Sequence, residues 1–398
     1  MSVKISAMDP ATDAQVRSAL VEVTVPGTPN LTRRATALQL AMSGVISVTS
    51  YGAIGDGAAD DTAAIQAALD AAESLVADAQ GKPARVYLPS GEYLSDPLYV
   101  TVGGVQVFGD GSSTVLRRKP GEATSSISEG VINFHGASVG SRIFHNGLFN
   151  MLVDGNSANV TPTTADPLDV ECVSCVYTAA MRIEGVVAIN GTSEGFDFDY
   201  SVDGTVIGCY AADCGGAGFH FSLSCARMLG QSCIATNCGH THSRGGFDTH
   251  STAASCSYVN CNARACYRGF VSDGQEHQLA SCAARDCTAN GFRIVGDRNQ
   301  LSACCAATDS ANGITIVGDR NTLSACVCVS NGAHGITAVD GAVNNVITGA
   351  VCNNNGADGI RLASGANNNI VIGCQLGGNA LSSLGDLATG TIAANNKT

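Results

Sequence analysis

From about residue 195 onward, apolar and polar residues alternate in runs too short for a helix face. Ile314-Thr315-Ile316-Val317 is one such run, and turns like Gly296-Asp297-Arg298-Asn299 or Gly365-Ala366-Asn367-Asn368 separate them. The runs recur. A Gly followed by Phe or Ile returns at Gly195-Phe196, Gly218-Phe219, Gly246-Phe247, Gly269-Phe270, Gly291-Phe292, Gly313-Ile314, Gly335-Ile336 and Gly359-Ile360. The intervals are 23, 28, 23, 22, 22, 22 and 24 residues. One repeat then predicts a coil of about three short strands that cannot bury its apolar side alone. Stacked coils put like residues above one another, roughly 4.8 Å apart, with each backbone edge paired by the next coil. The expectation is an all-β, right-handed parallel β-helix. A leucine-rich horseshoe is the rival, but its Leu/Asn consensus is absent.

Cysteine marks two further registers. One is expected through Cys209, Cys233, Cys256, Cys282, Cys304, Cys326, Cys352 and Cys374, and a shorter one through Cys214, Cys238, Cys261 and Cys287. Small apolar thiols suit interior rungs, and stacked in-register strands rarely suit a disulfide, so free buried thiols are predicted. Cys172 and Cys175 stand without a second pair to complete a zinc pattern.

Upstream the period changes. Asp60-Asp61-Thr62 offers an N-cap to a helix with Ile65 and Leu69 on one face, followed by a strand over Arg85-Val86-Tyr87-Leu88-Pro89. Such a helix would cover the open end of the stack. Three segments are expected: 1–45 outside the helix, 46–120 as cap and first coils, and 121–398 as the main β-helix.

Composition narrows the class. Of 398 residues, 47 are Gly, 18 Cys and none Trp, with aromatics at 5% and charged residues at 14%. A formal net charge of −13 disfavours a nucleic-acid binder. No apolar run is long enough to span a membrane, and Met1-Ser2-Val3-Lys4-Ile5 does not open a secretory signal, so production in the bacterial cytoplasm is expected.

The stretches Tyr51-Gly52-Ala53-Ile54-Gly55-Asp56-Gly57, Asp60-Asp61-Thr62-Ala63-Ala64-Ile65-Gln66 and Val86-Tyr87-Leu88-Pro89-Ser90-Gly91-Glu92-Tyr93 resemble the start of pectate-lyase-superfamily β-helices. That superfamily includes phage tailspikes, polygalacturonases and alginate C-5 epimerases. The resemblance covers about residues 48 to 380 and implies the fold, while leaving the reaction open. Lys4-Ile5-Ser6-Ala7-Met8, Ser18 to Val23 and Thr32 to Leu40 are similar to leader segments of phage tail fibres and spikes, which implies a particle-attachment role for residues 1–45.

Strand alternation then proposes a site. With Phe196, Phe219, Phe247 and Phe270 inward, one exterior column reads Asp197, His220, Asp248, Val271, Arg293, and its neighbour Asp199, Ser222, His250, Asp273, Val295. The 28-residue repeat inserts residues around His240, His242 and Arg244, which should overhang this patch. Asp197, His220 and Asp248 are the catalytic candidates. Asp199, His240, His242, Arg244, His250, Arg268, Asp273 and Arg293 are the substrate-binding candidates. A hydrolase would use Asp197 and Asp248, two coils apart, with His220 between them. A lyase or epimerase would need a cation beside a base.

The epimerase resemblance is partial. Gly195-Phe196-Asp197-Phe198-Asp199 lies where that family has Gly-Phe-Asp-Pro-His, so only Asp197 matches a catalytic position. Glu194 falls where its tyrosine would be, and no lysine follows Asp154-Gly155-Asn156. The bland alternative is an exterior face of solvated charges. The four histidines compel no metal site, and no cofactor is expected. Tyr177, Tyr200, Tyr258 and Tyr267 are candidate sugar contacts. The sequence reads best as a tailspike-like or fibre-like component of a phage, prophage or gene-transfer particle. It would be a homotrimer binding cell-surface polysaccharide, with particle proteins held through residues 1–45; the alternative is a polysaccharide-degrading enzyme.

Overall fold

The computed structural model describes residues 20–24, 32–36, 45–78, 83–122, 129–161 and 170–398. Its contacts divide the chain into two units, Met1–Ile46 and Ser47–Thr398. In the first, Leu20–Thr24 pairs antiparallel with Thr32–Thr36; the leader segment at residues 4–8 lies outside the described residues.

The second unit is a parallel β-helix. Its long sheet stacks 12 strands in chain order, from Leu98–Val100 to Leu384–Asp386. Two further faces complete each coil with strands of three residues, such as Thr205–Ile207 and Tyr210–Ala212. On these faces the middle residue of each strand points inward, giving a column of Val206, Gly230, Tyr258, Leu279, Leu301, Leu323 and a column of Ala211, Ala235, Ala263, Ala284, Ala306. The alanines leave room for the aromatic column of the long sheet. There Phe196, Phe219, Phe247, Phe270 and Phe292 stack with centroids 4.7–4.9 Å apart and planes within 5–7°. Ile314, Ile336 and Ile360 continue that column.

The predicted helix runs from Thr62 to Asp78 and buries Ile65, Ala68, Leu69, Ala72 and Val76 against the first coils. Asp60 caps it, its Oδ1 accepting the Thr62 N–H at 3.1 Å.

All 18 thiols are free and 17 are buried, with Cys305 half-buried. Their columns differ from the expected ones. Backbone pairing places Cys233 beneath Cys261 and Cys238 beneath Cys266, so Cys256 falls in another corner column, between Met228 and His277. The extra residues of the long repeat lie after Cys238 and before Gly246. Thiols preceding that insertion therefore meet partners 28 residues later, not 23. Farther up, Ala350 occupies the first column and Cys352 stacks on Cys328 instead.

Candidate active-site cleft

The long sheet positions the site as alternation requires. Val173, Phe196, Phe219 and Phe247 face in, while Ser174, Asp197, His220, Asp248, Val271 and Arg293 form one register on the outer side. The alternative of solvated charges does not hold for the three catalytic candidates: Asp197, His220 and Asp248 are 5%, 4% and 3% exposed. Two features cover them. Glu171 and Glu194 close in from the start of the strands, and the inserted turn brings Arg244 over the column.

His220 Nδ1 lies 2.9 Å from Asp197 Oδ1 and 3.9 Å from Glu194 Oε1, while its buried Nε2 has no partner among the described residues. Burial alone would lower its pKa. The hydrogen bond and charge of Asp197, joined by Glu194 and Asp248, override that and push the imidazole up to about 9. Burial raises the Asp197 carboxyl to about 7 against the opposing pull of His220. Asp248 is likewise raised by burial, although His220 and Arg244 favour its charged form, and its Oδ2 accepts the Gly245 N–H at 3.2 Å. Glu171 is pushed well up by burial and by the charges of Asp197 and Glu194, and its Oε2 has no partner among the described residues. Burial and mutual repulsion thus push the carboxyls of the cluster up, while those same carboxylates push the imidazole up.

The candidates separate into three places. Asp197, Asp199, His220, Arg244 and His250 line a cleft of about 240 Å³ together with Glu171 and Glu194. His242, Arg244, Asp248, Arg268, Asp273 and Arg293 line a second cleft of about 400 Å³. Arg244 borders both. His240 sits apart, in a third hollow with Thr192, Asp213 and Asn237, where its Nε2 is 2.8 Å from the Ala265 carbonyl.

Some groups are committed to local structure. Asp199 Oδ1 accepts the Leu223 N–H at 3.0 Å, and His250 Nδ1 is held in its own turn, 3.0 Å from Thr252 Oγ1. Arg268 lies 4.8 Å over the Tyr267 ring and donates to the Ser243 carbonyl. Tyr258 is a core residue, 3% exposed, with its hydroxyl donating to the Asp248 carbonyl at 3.1 Å, so it cannot meet a sugar. The repeated Gly-Asp-Arg-Asn turns serve structure: Arg320 pairs with Asp297 at 2.8 Å and Arg298 with Glu276 at 3.2 Å. Within Asp154-Gly155-Asn156, Asp154 binds Arg117 at 2.8 Å, and that arginine also pairs with Glu92.

Glu171 escaped the sequence reading. It stands 23 residues before Glu194, which is one coil, so the period itself carried the signal. The strand Val170–Val176 is buried nearly throughout and offers no clean alternation to reveal it.

The arrangement can give and take protons. Asp197 and Asp248 are separated by two coil rises, roughly 10 Å between backbones, near the upper end of the carboxyl separations used by inverting glycosidases. His220 stands between them.

Comparison with known proteins agrees with the fold and sharpens its lineage. Mannuronan C5-epimerase AlgE4 of Azotobacter vinelandii is 30% identical over 185 residues, 39% of this chain and 32% of that protein. Alginate lyase 7 of the same organism is 35% identical over 121 residues, 28% of this chain and 13% of that protein. The chain spans between a tenth and a third of the length of the mannuronan epimerases it matches. Among solved structures, the AlgE4 A-module superposes with a TM-score of 0.70 at 20% identity, covering 87% of this chain and 96% of that one. Tailspike protein 3 of bacteriophage CBA120 superposes at 0.67 with 10% identity, covering 97% and 64%. The family described as rhamnogalacturonase A/epimerase, pectate lyase-like, matches residues 45–271, more than half of the sequence, and the chain belongs to it.

Proposed function

We propose that the protein is a tailspike-like, particle-borne receptor-binding component whose long sheet takes cell-surface polysaccharide along its outer face. The observation that carries this is the pair of adjoining clefts on one rigid face, bordered by the inserted turn at Arg244. Arg244 and Arg293 form no ion pair within 4.0 Å among the described residues, leaving two cations to meet an anionic glycan. The fold likeness to a phage tailspike supports the setting. In this reading residues 1–45 attach the protein to the particle and three copies assemble.

A second reading, cleavage of the bound glycan, rests on a different observation. Adhesion has no use for a buried cluster of acids around an imidazole whose pKa they raise, whereas general acid–base catalysis does. Asp197 and Asp248 would serve as acid and base, with His220 tuning them.

Incubation with host capsular or exopolysaccharide separates the two. New reducing ends, or the absorbance of an unsaturated uronate, that disappear with Asp197→Asn establish cleavage. Binding without product, unchanged by that substitution, leaves an adhesin. Removal of residues 1–45 should abolish particle attachment while glycan binding survives.

A further inference from the structure

The corner that follows the site strands carries a feature that the acid cluster does not use. Tyr177 follows the strand Val170–Val176, and Tyr200 follows Phe196–Asp199 one coil higher. Their rings stack with centroids 4.9 Å apart and planes at 21°. Both backbones are left-handed, with φ of 51° and 52°, a region that disfavours bulky side chains. The coil does not need them there. Each coil already turns through left-handed residues at three recurrent corners, for example Asp203, Gly208 and Asp213, or Arg320, Ala325 and Ser330. Tyr177 and Tyr200, with Ser224 above them, add a fourth such residue in the coils that bear the acids. Strain of this kind gathers where function holds it.

The corner is tied to the cleft wall. Tyr200 N–H donates to the Leu223 carbonyl at 2.6 Å, and Leu223 N–H donates to Asp199 Oδ1, while both Asp199 and Leu223 line the acid cleft. Arg142 Nε holds the Tyr200 carbonyl at 3.0 Å. The neighbouring coils place Gly136 below Tyr177 and exposed Ser224 above Tyr200, so neither supplies a large side chain over the rings. The two phenol hydroxyls have no hydrogen-bond partner among the described residues.

We infer that the Tyr177–Tyr200 pair is a stacking subsite for a pyranose ring of the glycan, adjoining the acid cleft. An aromatic face accepts the C–H-bearing face of a sugar, and each free hydroxyl can meet the sugar's own hydroxyls. The inference rests on the reading that this face binds polysaccharide.

The chain contains no tryptophan, so Tyr200→Trp introduces a single indole as a reporter at the subsite. Hexasaccharides of polymannuronate and of polygalacturonate are titrated in parallel by calorimetry and by indole emission. The expected result is a shifted or quenched emission that saturates with the calorimetric curve. Tyr177→Ala should weaken binding about ten-fold, and Tyr177→Phe less than two-fold. Calorimetric binding with unmoved emission, and with unchanged affinity in Tyr177→Ala and Tyr200→Ala, overturns the subsite and leaves the groove reading intact. No heat from either hexasaccharide with the unsubstituted protein counts against the groove reading itself and removes the subsite with it. Circular dichroism checks each variant, and the alanine variants carry the test if the tryptophan variant does not fold.

Discussion

Coils built from residues 170–290 and those from 291–375 share three faces and the same left-handed corners, yet they bury different things. In the first group the long sheet stacks phenylalanines inside and covers Asp197, His220 and Asp248 outside. In the second, above Phe292, it stacks Ile314 and Ile336 inside and sets uncharged, equally buried Thr315 and Thr337 on the outer side. The corners diverge as well. One corner column passes from Met228, Cys256 and His277 to Asn299, Asn321, Asn345 and Asn369. In its upper part each Asn Oδ1 accepts the backbone N–H of the residue one coil below, at 2.7–2.8 Å. Another passes from Cys214, Cys238, Cys266 and Cys287 through Asp309 to Asn331, Asn355 and Asn379. An asparagine ladder gives a corner donor a partner where sheet pairing lapses. A thiol mainly fills the space. The coils that bear the candidate site thus keep the shared backbone while giving up local consistency.

The aromatic column is where the first group can be broken most severely. Phe247 stacks on Phe219 and Phe270 and meets the edge of Tyr258 at 5.1 Å. Phe247→Ala should cost about 3–5 kcal/mol. Ile336→Ala, in the same column among the regular coils, should fall toward the low end of about 2–5 kcal/mol. Thermal unfolding of both variants tests the order. An equal loss would mean that the ring stack contributes nothing beyond burial.

Asp309 marks the border between the two groups and offers the next largest effect. It occupies a ladder position, 1% exposed, with Oδ1 accepting the Cys287 N–H at 2.9 Å and Oδ2 without a partner among the described residues. Burial raises its carboxyl from 3.8 to about 6. The fold therefore keeps the proton longer than the unfolded chain does. Stability falls as pH rises from about 4 through 6 and then levels, by roughly 2–3 kcal/mol. Asp309→Asn should remove that slope and stabilise the protein above pH 6, with little effect below pH 4. A melting curve at each pH decides it.

His220 gives a pH signature of comparable size and of the opposite charge type. Its imidazole is raised from 6.5 to about 9, so its contribution to stability is full below 6.5 and lost as pH climbs through 9. His220→Gln should flatten the alkaline limb of the melting profile. Thr315→Val, at the same position in the regular coils, leaves His220 in place and should leave that limb unchanged.

Much of this contrast was readable from the residues. The Gly-Phe/Ile period gave the coil, and alternation correctly set Asp197, His220 and Asp248 in one outward register. Burial of that register was not readable, because alternation separates the two sides of a strand without saying what lies over either. The cover comes from Glu171 and Glu194 at the strand starts and from an inserted turn. Asp199 and His250, placed by alternation in the neighbouring column, each have a hydrogen-bonding atom engaged structurally, Asp199 with the backbone one coil up and His250 in its own turn. The thiol columns depart from the expected ones at two places: across the insertion, where Cys256 and Cys261 compete for one rung, and at Cys352, where Ala350 holds the rung two residues earlier.

The smallest expected effect tests the thiols themselves. Cys305 begins the strand Cys305–Ala307, in a position that Ala283 and Val327 hold in the adjacent coils, and it is half-buried where the other 17 are buried. Burial raises its pKa, so the thiolate is scarce at neutral pH and reaction is slow but favoured by alkali. Titration of the native protein with an aromatic disulfide should therefore count one thiol, and all 18 in denaturant. Cys305→Ser should bring the native count to zero with a stability change within about 0.5 kcal/mol. Labelling of Cys209, Cys233 or Cys261 at the rate of Cys305 would show instead that the site coils open locally. The cost of burying their charges would then be visible as motion confined to that half of the solenoid.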